Sequence, residues 1–209
     1  MTADTDLSLL RRDVQYLLDR TAIYDCIARH ARGCDRHDAD LISAAYHEDG
    51  MDEHGFAVNS GPEYGKWANK THAETSTVHT HNITTHSCEI DGDTAHAESY
   101  VIVVLIGTDG GSAQFITGRY LDRLERRDGQ WRIAVRRSTV EGMFLADARV
   151  LQSKFFKEKG YLVGTRDRQD LSYERPLTIE SPTPARWQMA DGAEGNEATG
   201  IVSATADRR

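Results

Sequence analysis

Three histidines fall within eight consecutive positions of the segment VHTHNITTHSCEIDGD, which spans residues 78–93. They are His79, His81 and His86. A neutral imidazole can act as a general base near neutral pH, and it is also a common metal ligand. The segment ends in a strand-and-turn pattern. This pattern predicts that the three histidines lie on a strand. Three interpretations follow: a catalytic base, a metal site, or structural polar residues at a sheet edge.

A metal ion is the weaker explanation of these histidines. His79 and His81 would point to one side of a strand, and Asp52 and His54 could join them in space. However, the usual zinc-ligand spacings are absent, and so are a glycine-rich phosphate loop and a dinucleotide fingerprint. We therefore expect no metal and no organic cofactor, and we interpret His79 and His86 as structural.

The elements that must position these side chains change in character along the chain. Apolar residues recur at helical spacing from residue 7 to about residue 36, and shorter helices are predicted at 38–50 and 61–75. After these helices the period becomes two, and turn signals separate the strands. The turns are predicted at Asp91-Gly92-Asp93, Gly110-Gly111 and Asp128-Gly129. This order predicts an α+β fold, with one curved antiparallel sheet and helices over one of its faces.

Composition narrows the class of protein. A chain of 209 residues with 39% apolar residues is typical of one domain with an additional segment, and we assign residues 1–165 to the domain. Residues 166–209 form a tail rich in proline and glycine, which we expect to be partly ordered or disordered. The net charge of −8 repels nucleic acid and anionic membranes.

Cysteine usage and hydropathy predict a cytoplasmic protein. The three cysteines are widely spaced and form no Cys-x-x-Cys pair, as expected of a reduced chain. The first residues lack the apolar stretch of a signal peptide, and no apolar run reaches membrane-spanning length. We expect neither a membrane nor a nucleic acid as a partner, and a small molecule as substrate.

Four segments carry a family resemblance that covers roughly residues 8 to 145. They are ARGCDRHDADLISAAYHEDGMDEHG (31–55), GPEYGKW (61–67), HNITTHSCEIDGDTAHAESY (81–100) and GRYLDRLERRDGQWRIAVRR (118–137). The chain resembles the SnoaL-like branch of the nuclear-transport-factor-2-like superfamily. This resemblance implies a cone-shaped fold in which three N-terminal helices cover a curved antiparallel sheet. The superfold hosts dehydratases, isomerases, cyclases and binding modules, so it does not by itself name an activity.

Within this branch the pattern is similar to that of scytalone dehydratase, hexachlorocyclohexane dehydrochlorinase and bile-acid 7α-dehydratase. These lyases work without a cofactor, with an Asp at the end of the first helix and a His before a sheet strand. The resemblance implies catalytic roles for Asp35 and His81. It also implies that His30, five residues before the Asp, lines the pocket as an acid for the leaving oxygen. Thr85 stands where such lyases often have an Asn that contacts the substrate.

Further substrate-binding candidates come from the strand pattern and the aromatic residues. Arg137 shares parity with the apolar positions of the last strand, so it could bind an anionic or phenolic group. Arg136 is then an outward ion-pair partner, although a bulge would exchange the two arginines. Tyr24 and Tyr46 are predicted to lie in the core or in the pocket wall.

The expected function is a dehydratase-type elimination on a small apolar or aromatic alcohol or diol, with or without loss of formaldehyde. Asp35 and His81 would form the general acid/base dyad. Two alternatives remain: an isomerase or cyclase of the same fold, and a non-catalytic module that binds a small molecule. The apolar segment YVIVVLIG (100–107) predicts burial on both faces, so we expect a homo-oligomer, either a trimer or a dimer.

Overall fold

The computed structural model of the protein describes residues 3–182 and 185–187. The described residues form the helices α1 (Ala3–Asp35), α2 (Ala39–Ser43), α3 (Gly61–Thr75) and α4 (Lys154–Lys157). Their strands are β1 (Tyr46–His54), β2 (Ala57–Ser60), β3 (Ser76–Asp91), β4 (Thr94–Gly107), β5 (Ser112–Arg127) and β6 (Gln130–Asp147). Two 3-10 helices follow, at Arg149–Gln152 and Leu171–Tyr173. None of the helices in these ranges combines the length and the apolar character that crossing a membrane requires.

One curved, unclosed sheet contains the strands in the order β2-β1-β6-β5-β4-β3. The predicted α+β fold with N-terminal helices is confirmed, and so are the three hairpin turns. At one of these turns, Asp128 and Gly129 both have positive φ angles, of 51° and 74°. This is the backbone geometry that matches the twist of the flanking strands.

The prediction of an entirely antiparallel sheet is wrong at one pairing, because β1 runs parallel to β6. The second predicted helix also ends early, at Ser43, and the chain enters β1 at Tyr46. The segment YHEDGMDEH is polar and has little intrinsic preference for a strand. It becomes one because β6 and β2 supply its backbone partners and because Tyr46 and Asp52 are buried beneath the helices.

The core lies between the C-terminal half of α1 and the inner face of the sheet. Ile23 and Ile27 are fully buried there and belong to the same cluster as Leu124 and Ile133 of the sheet. The N-terminal half of α1 is different, since its apolar side chains are exposed. These are Leu7, Leu9, Leu10, Val14, Tyr16, Leu17 and Leu18.

Burial along β4 alternates, so the segment 100–107 is not buried on both faces in the single chain. Val101, Val103 and Leu105 are buried, whereas Tyr100 and Ile102 are exposed on the opposite face. A half-buried antiparallel strand has this alternation.

A β-bulge in β6 determines which side chains of its middle part face the core. Ile133 pairs with Leu124, but the next paired residue of β5, Arg123, lies opposite Val135. Ala134 is therefore the extra residue, and both Ile133 and Ala134 are buried. Beyond the bulge, the inward-facing positions have changed parity.

Candidate active site

The end of α1 and the middle of β3 bring Asp35 and His81 together. The carboxylate of Asp35 accepts a hydrogen bond from Nδ1 of His81 at 2.7 Å. Both of its oxygens also accept from the backbone N–H of His81, each at 3.0 Å. Asp35 therefore holds both the imidazole and the strand that carries it. A carboxylate on Nδ1 keeps the proton there and leaves Nε2 with its lone pair.

His79 fixes this part of β3 against the end of α1. Its Nε2 donates to the carbonyl oxygen of Cys34 at 2.8 Å, in the last turn of the helix. The last four carbonyls of a helix have no partner within the helix, so His79 satisfies one of them. This contact accounts for the structural role expected of His79. It also holds β3 beside the end of α1, where His81 forms its hydrogen bond with Asp35.

A cavity of about 560 Å³ lies against the dyad. Asp35 and His81 line it, together with side chains of α1 and Ile83 of β3. Within the described residues, Nε2 of His81 has no hydrogen-bond partner, so this nitrogen is available to a molecule in the cavity. A general base needs this arrangement, with one nitrogen held and the other free to reach a substrate proton.

The opposite wall of the cavity comes from residues 162–173, which we call the C-terminal strap. Leu162, Val163 and Leu171 of the strap line the cavity. Arg36 donates to the carboxylate of Asp170 at 2.7 Å and to the carbonyl of Thr165 at 2.9 Å. The part of the expected tail within the strap thus packs against the domain, while residues 183, 184 and 188–209 of that tail lie outside the described residues.

A second anchor of the strap lies near the start of α2. The hydroxyl of Tyr173 donates to Asp38 at 2.8 Å, and the guanidinium of Arg32 stacks on the ring of Tyr173 at 4.6 Å. Arg32 and Arg36 both line the cavity and were not among the candidates derived from the sequence. Arg32 stands three residues before Asp35, a helical spacing that could have pointed to it. Nothing local in the sequence could have identified the strap.

His30 lies in the core and does not line the cavity beside the dyad. Its side chain is fully buried, Arg136 donates to its Nδ1 at 3.0 Å, and its Nε2 lies 3.1 Å from the hydroxyl of Tyr46. That hydroxyl in turn donates to Asp52 at 2.5 Å. Burial and the charge of Arg136 lower the pKa of His30 well below its ordinary value. Both ring nitrogens are therefore occupied within the protein.

The orientation expected for the two arginines of β6 is wrong, because the bulge at Ala134 exchanges them. Arg136 is fully buried and forms two hydrogen bonds of 2.7 Å with the carboxylate of Asp122. Arg137 is exposed and pairs with Glu53 on the outer side of the sheet. Arg136, which was predicted to face outward, therefore points into the core and forms a buried ion pair with Asp122.

The aromatic and threonine candidates lie in three different environments. Tyr24 lines the cavity, whereas Tyr46 is buried beneath it in contact with His30 and Asp52. Thr85 is exposed at a bulge of β3 and does not line the cavity. The structure therefore assembles Asp35, His81 and Tyr24 around one space and leaves the other candidates outside it.

Histidines also gather behind the dyad, but in a different set from the one considered in the sequence. His54 lies 3.4 Å from Asp52 and contacts Tyr64 and Ser138 instead of His79. The rings of His72 and His79 are 4.1 Å apart between centroids. Burial, reinforced by neighbouring histidines, lowers the pKa of His72 to about 2. Burial also lowers the pKa of His79 to about 4.

The family follows from a sequence match that spans most of the helices and sheet. A model of the SnoaL-like domain matches residues 15–137. The chain belongs to the SnoaL-like domain family. This confirms the resemblance to the nuclear-transport-factor-2-like superfamily. No curated protein matches the chain in sequence.

Solved structures share the fold of this SnoaL-like domain. A protein of unknown function from Mycobacterium tuberculosis is 30% identical, with a TM-score of 0.55 over 62% of this chain and 75% of that one. A hexachlorocyclohexane dehydrochlorinase, LinA-type3 from Novosphingobium barchaimii LL02, is 20% identical, with a TM-score of 0.60 over 64% and 94%. A putative scytalone dehydratase from Novosphingobium aromaticivorans is 17% identical, with a TM-score of 0.57 over 62% and 88%.

Proposed function

We propose that this SnoaL-like domain is a cofactor-independent lyase in which His81 acts as the general base and Asp35 as its positioning carboxylate. The observation that carries the proposal is the 2.7 Å hydrogen bond from Nδ1 of His81 to Asp35, with His81 lining a cavity. Such a base contributes about 10²–10⁴-fold in rate. The names of two proteins with the same fold, a dehydrochlorinase and a putative dehydratase, describe eliminations.

In the proposed reaction, Nε2 of His81 takes a proton from a substrate carbon. The electron pair of that C–H bond forms the new carbon–carbon double bond, and the bond to the leaving oxygen on the neighbouring carbon breaks. Asp35 stabilises the imidazolium that forms. Because His30 lies outside the cavity, the imidazolium of His81 is the group that returns the proton to the departing oxygen, which leaves as water.

The cavity fits a small, mostly apolar substrate. Its volume of about 560 Å³ lies within the range of ligand pockets, and the dyad is surrounded by Ala28, Ala31, Ile83, Leu162 and Leu171. An apolar wall strengthens the attraction between Asp35 and the imidazolium and excludes competing water. The guanidinium of Arg32 at the cavity is suited to a phenolic or anionic group. We therefore propose an aromatic alcohol or diol, which loses water. Where a diol also loses formaldehyde, Nε2 of His81 takes the proton of the terminal hydroxyl instead of a C–H proton. The oxygen of that hydroxyl becomes the carbonyl oxygen of formaldehyde, and the electron pair of the C–C bond that breaks forms the double bond as the other oxygen departs as water.

An isomerase or cyclase is the second candidate, and one observation favours it. His30 does not supply a second acid at the cavity, because both of its ring nitrogens are bonded within the core. The imidazole of His81 would then both remove and return the proton. Returning the proton to a different carbon would give isomerisation without loss of a group. We also propose that the protein is cytoplasmic and forms a homo-oligomer.

The test is a product analysis with matched variants. The protein is incubated with 1,2-diarylpropane-1,3-diols and simpler aryl alcohols, and the products are identified by mass spectrometry. We expect a loss of one water, or of one water and one formaldehyde, and a fall in kcat of at least ~10²-fold in His81→Ala. The control is His96→Ala, because His96 is exposed on β4 and remote from the cavity.

Each other outcome contradicts a specific part of the proposal. A product of unchanged mass indicates the isomerase. Saturable binding of these compounds without turnover indicates a binding module. Turnover that disappears on thorough chelation and returns with one divalent ion contradicts cofactor independence.

A further inference from the structure

Three histidines from distant parts of the chain meet beside the dyad. His37 lies in the loop between α1 and α2, His72 in the last turn of α3, and His79 in β3. One ligand nitrogen of each ring lies within 4.8 Å of those of the other two. The loop, the helix and the strand thus converge on one small space.

Two of these imidazoles have a nitrogen that no donor satisfies. Nδ1 of His72 is buried and has no hydrogen-bond partner within the described residues. Nε2 of His79 donates to the carbonyl of Cys34, which leaves Nδ1 of His79 with its lone pair, 3.5 Å from the hydroxyl of Ser76. That hydroxyl has one proton, and it donates to the carbonyl of His72 at 2.9 Å. Buried nitrogens without partners are rare, and an ion is one of the few explanations for them.

We propose that His37, His72 and His79 form a binding site for one divalent transition-metal ion of the zinc type. Three neutral imidazoles and a water molecule are a common tetrahedral ligand set for zinc. At Zn–N bonds of 2.0–2.1 Å the nitrogens stand about 3.3 Å apart. Because the separations are at most 4.8 Å, the rings need to close by no more than about 1.5 Å.

The backbone of one of these histidines agrees with a functional position. His37 has a φ angle of 50°, which is costly for a residue with a Cβ and is often found at functional positions.

The guanidinium of Arg166 competes with a metal ion for His37, so its removal should strengthen metal binding. Its Nη1 lies 3.1 Å from Nε2 of His37, and the guanidinium also donates to the carbonyls of His72 and Thr77. A metal bound through that nitrogen must displace the guanidinium, and the two cations repel each other. Asp35 supplies partial compensation, because its carboxylate lies 4.0 Å from His79.

The experiment measures binding to the full chain after chelation and dialysis. Zinc is added in a calorimetric titration, and cobalt(II) is added while the visible d–d absorption of a tetrahedral complex is recorded. We expect one equivalent to bind, and Kd to rise by at least ~10-fold in His37→Gln and in His72→Gln. Both side chains are only partly buried, and circular dichroism checks that each variant is folded. The matched control His96→Gln alters an exposed histidine and should leave Kd unchanged.

Arg166→Gln provides a test that keeps all three ligands. Removing the positive charge and the competing donor should lower Kd for zinc. Absence of saturable binding to the wild-type protein, or unchanged Kd in both histidine variants, overturns the site. Equal or weaker binding to Arg166→Gln also overturns it, even where a histidine variant unfolds. None of these measurements uses substrate, so the proposed lyase reaction and the metal site can fail independently.

Discussion

The carboxylate of Asp170 lies 2.7 Å from the guanidinium of Arg36, the residue that follows Asp35 in the chain. Both side chains are largely buried, and Asp170 also accepts from the backbone N–H groups of Thr165 and Ser172. One ion pair thus joins the C-terminal strap to the end of the helix that carries half of the dyad. Leu162 and Leu171 of the same strap form part of the cavity wall.

Replacing Asp170 by Ala should loosen the strap and raise KM more than it lowers kcat. The change leaves Arg36 without its carboxylate and removes the acceptor for two backbone groups, while Asp35 and His81 stay in place. Steady-state kinetics and the rate of limited proteolysis between residues 162 and 173 measure the effect. Glu180→Gln, at an exposed position outside the strap, is the control. An unchanged KM despite faster cleavage would show that the strap does not contact substrate, and an unchanged cleavage rate would show that this ion pair does not hold the strap.

The dyad should behave as a single unit in a double-mutant cycle. Asp35→Asn keeps the shape but can hold the wrong imidazole tautomer, so kcat should fall more than KM rises. Since His81→Ala already removes the base, adding Asp35→Asn should cost little more. Full additivity of the two losses in kcat/KM would mean that the residues act separately.

Arg136 and Arg137 should differ sharply in their effect on stability, although they are adjacent. Arg136→Gln leaves Asp122 buried without its partner, and breaking such a pair costs about 3–5 kcal/mol. Arg137→Gln removes an exposed pair with Glu53 and should leave Tm within error of the wild type. Urea unfolding of both variants provides the comparison. A larger loss in Arg137→Gln would contradict the bulge at Ala134.

Acid should destabilise the fold as the pH falls below the ordinary histidine pKa. Burial lowers the pKa of His30 well below its ordinary value of 6.5, so in this range the unfolded chain binds a proton that the folded chain does not bind. The free energy of unfolding is then fully retained above about 6.5 and falls by about 1.4 kcal/mol per pH unit below it, for this group. His47 and His86, whose pKa values burial also lowers, contribute in the same direction.

Urea unfolding of the wild type and of His30→Gln across this pH range measures the contribution of His30. The slope of stability against pH should be smaller in the variant, whatever the variant costs at neutral pH. Identical slopes would show that His30 titrates alike in the folded and unfolded states.

Light scattering at micromolar concentration should give the mass of a dimer or trimer. Phe144 of β6 lies opposite Phe115 of β5, and both are exposed on the sheet. Burying such a pair is favourable, so Phe144→Lys should shift the protein toward monomer. Val58→Lys alters an exposed apolar residue on the edge strand β2 and should not. A wild-type protein that is monodisperse and monomeric would end this proposal.

Local patterns in the sequence determined most of the framework. The helical spacing in α1, the proline at the start of α3 and the Asp-Gly turns act over a few residues, and each produced the predicted element. The family resemblance placed Asp35 and His81 in one site, and the structure brings the two side chains together.

Long-range pairing decided the rest, because no local preference specifies it. The polar segment of β1 becomes a strand only because β6 accepts it, and one extra residue at Ala134 turns Arg136 inward. His30 is held in the core by partners from two strands, and the strap closes the cavity through Arg36. Each of these outcomes depends on residues far apart in the chain, whose contacts exist only once the sheet has formed.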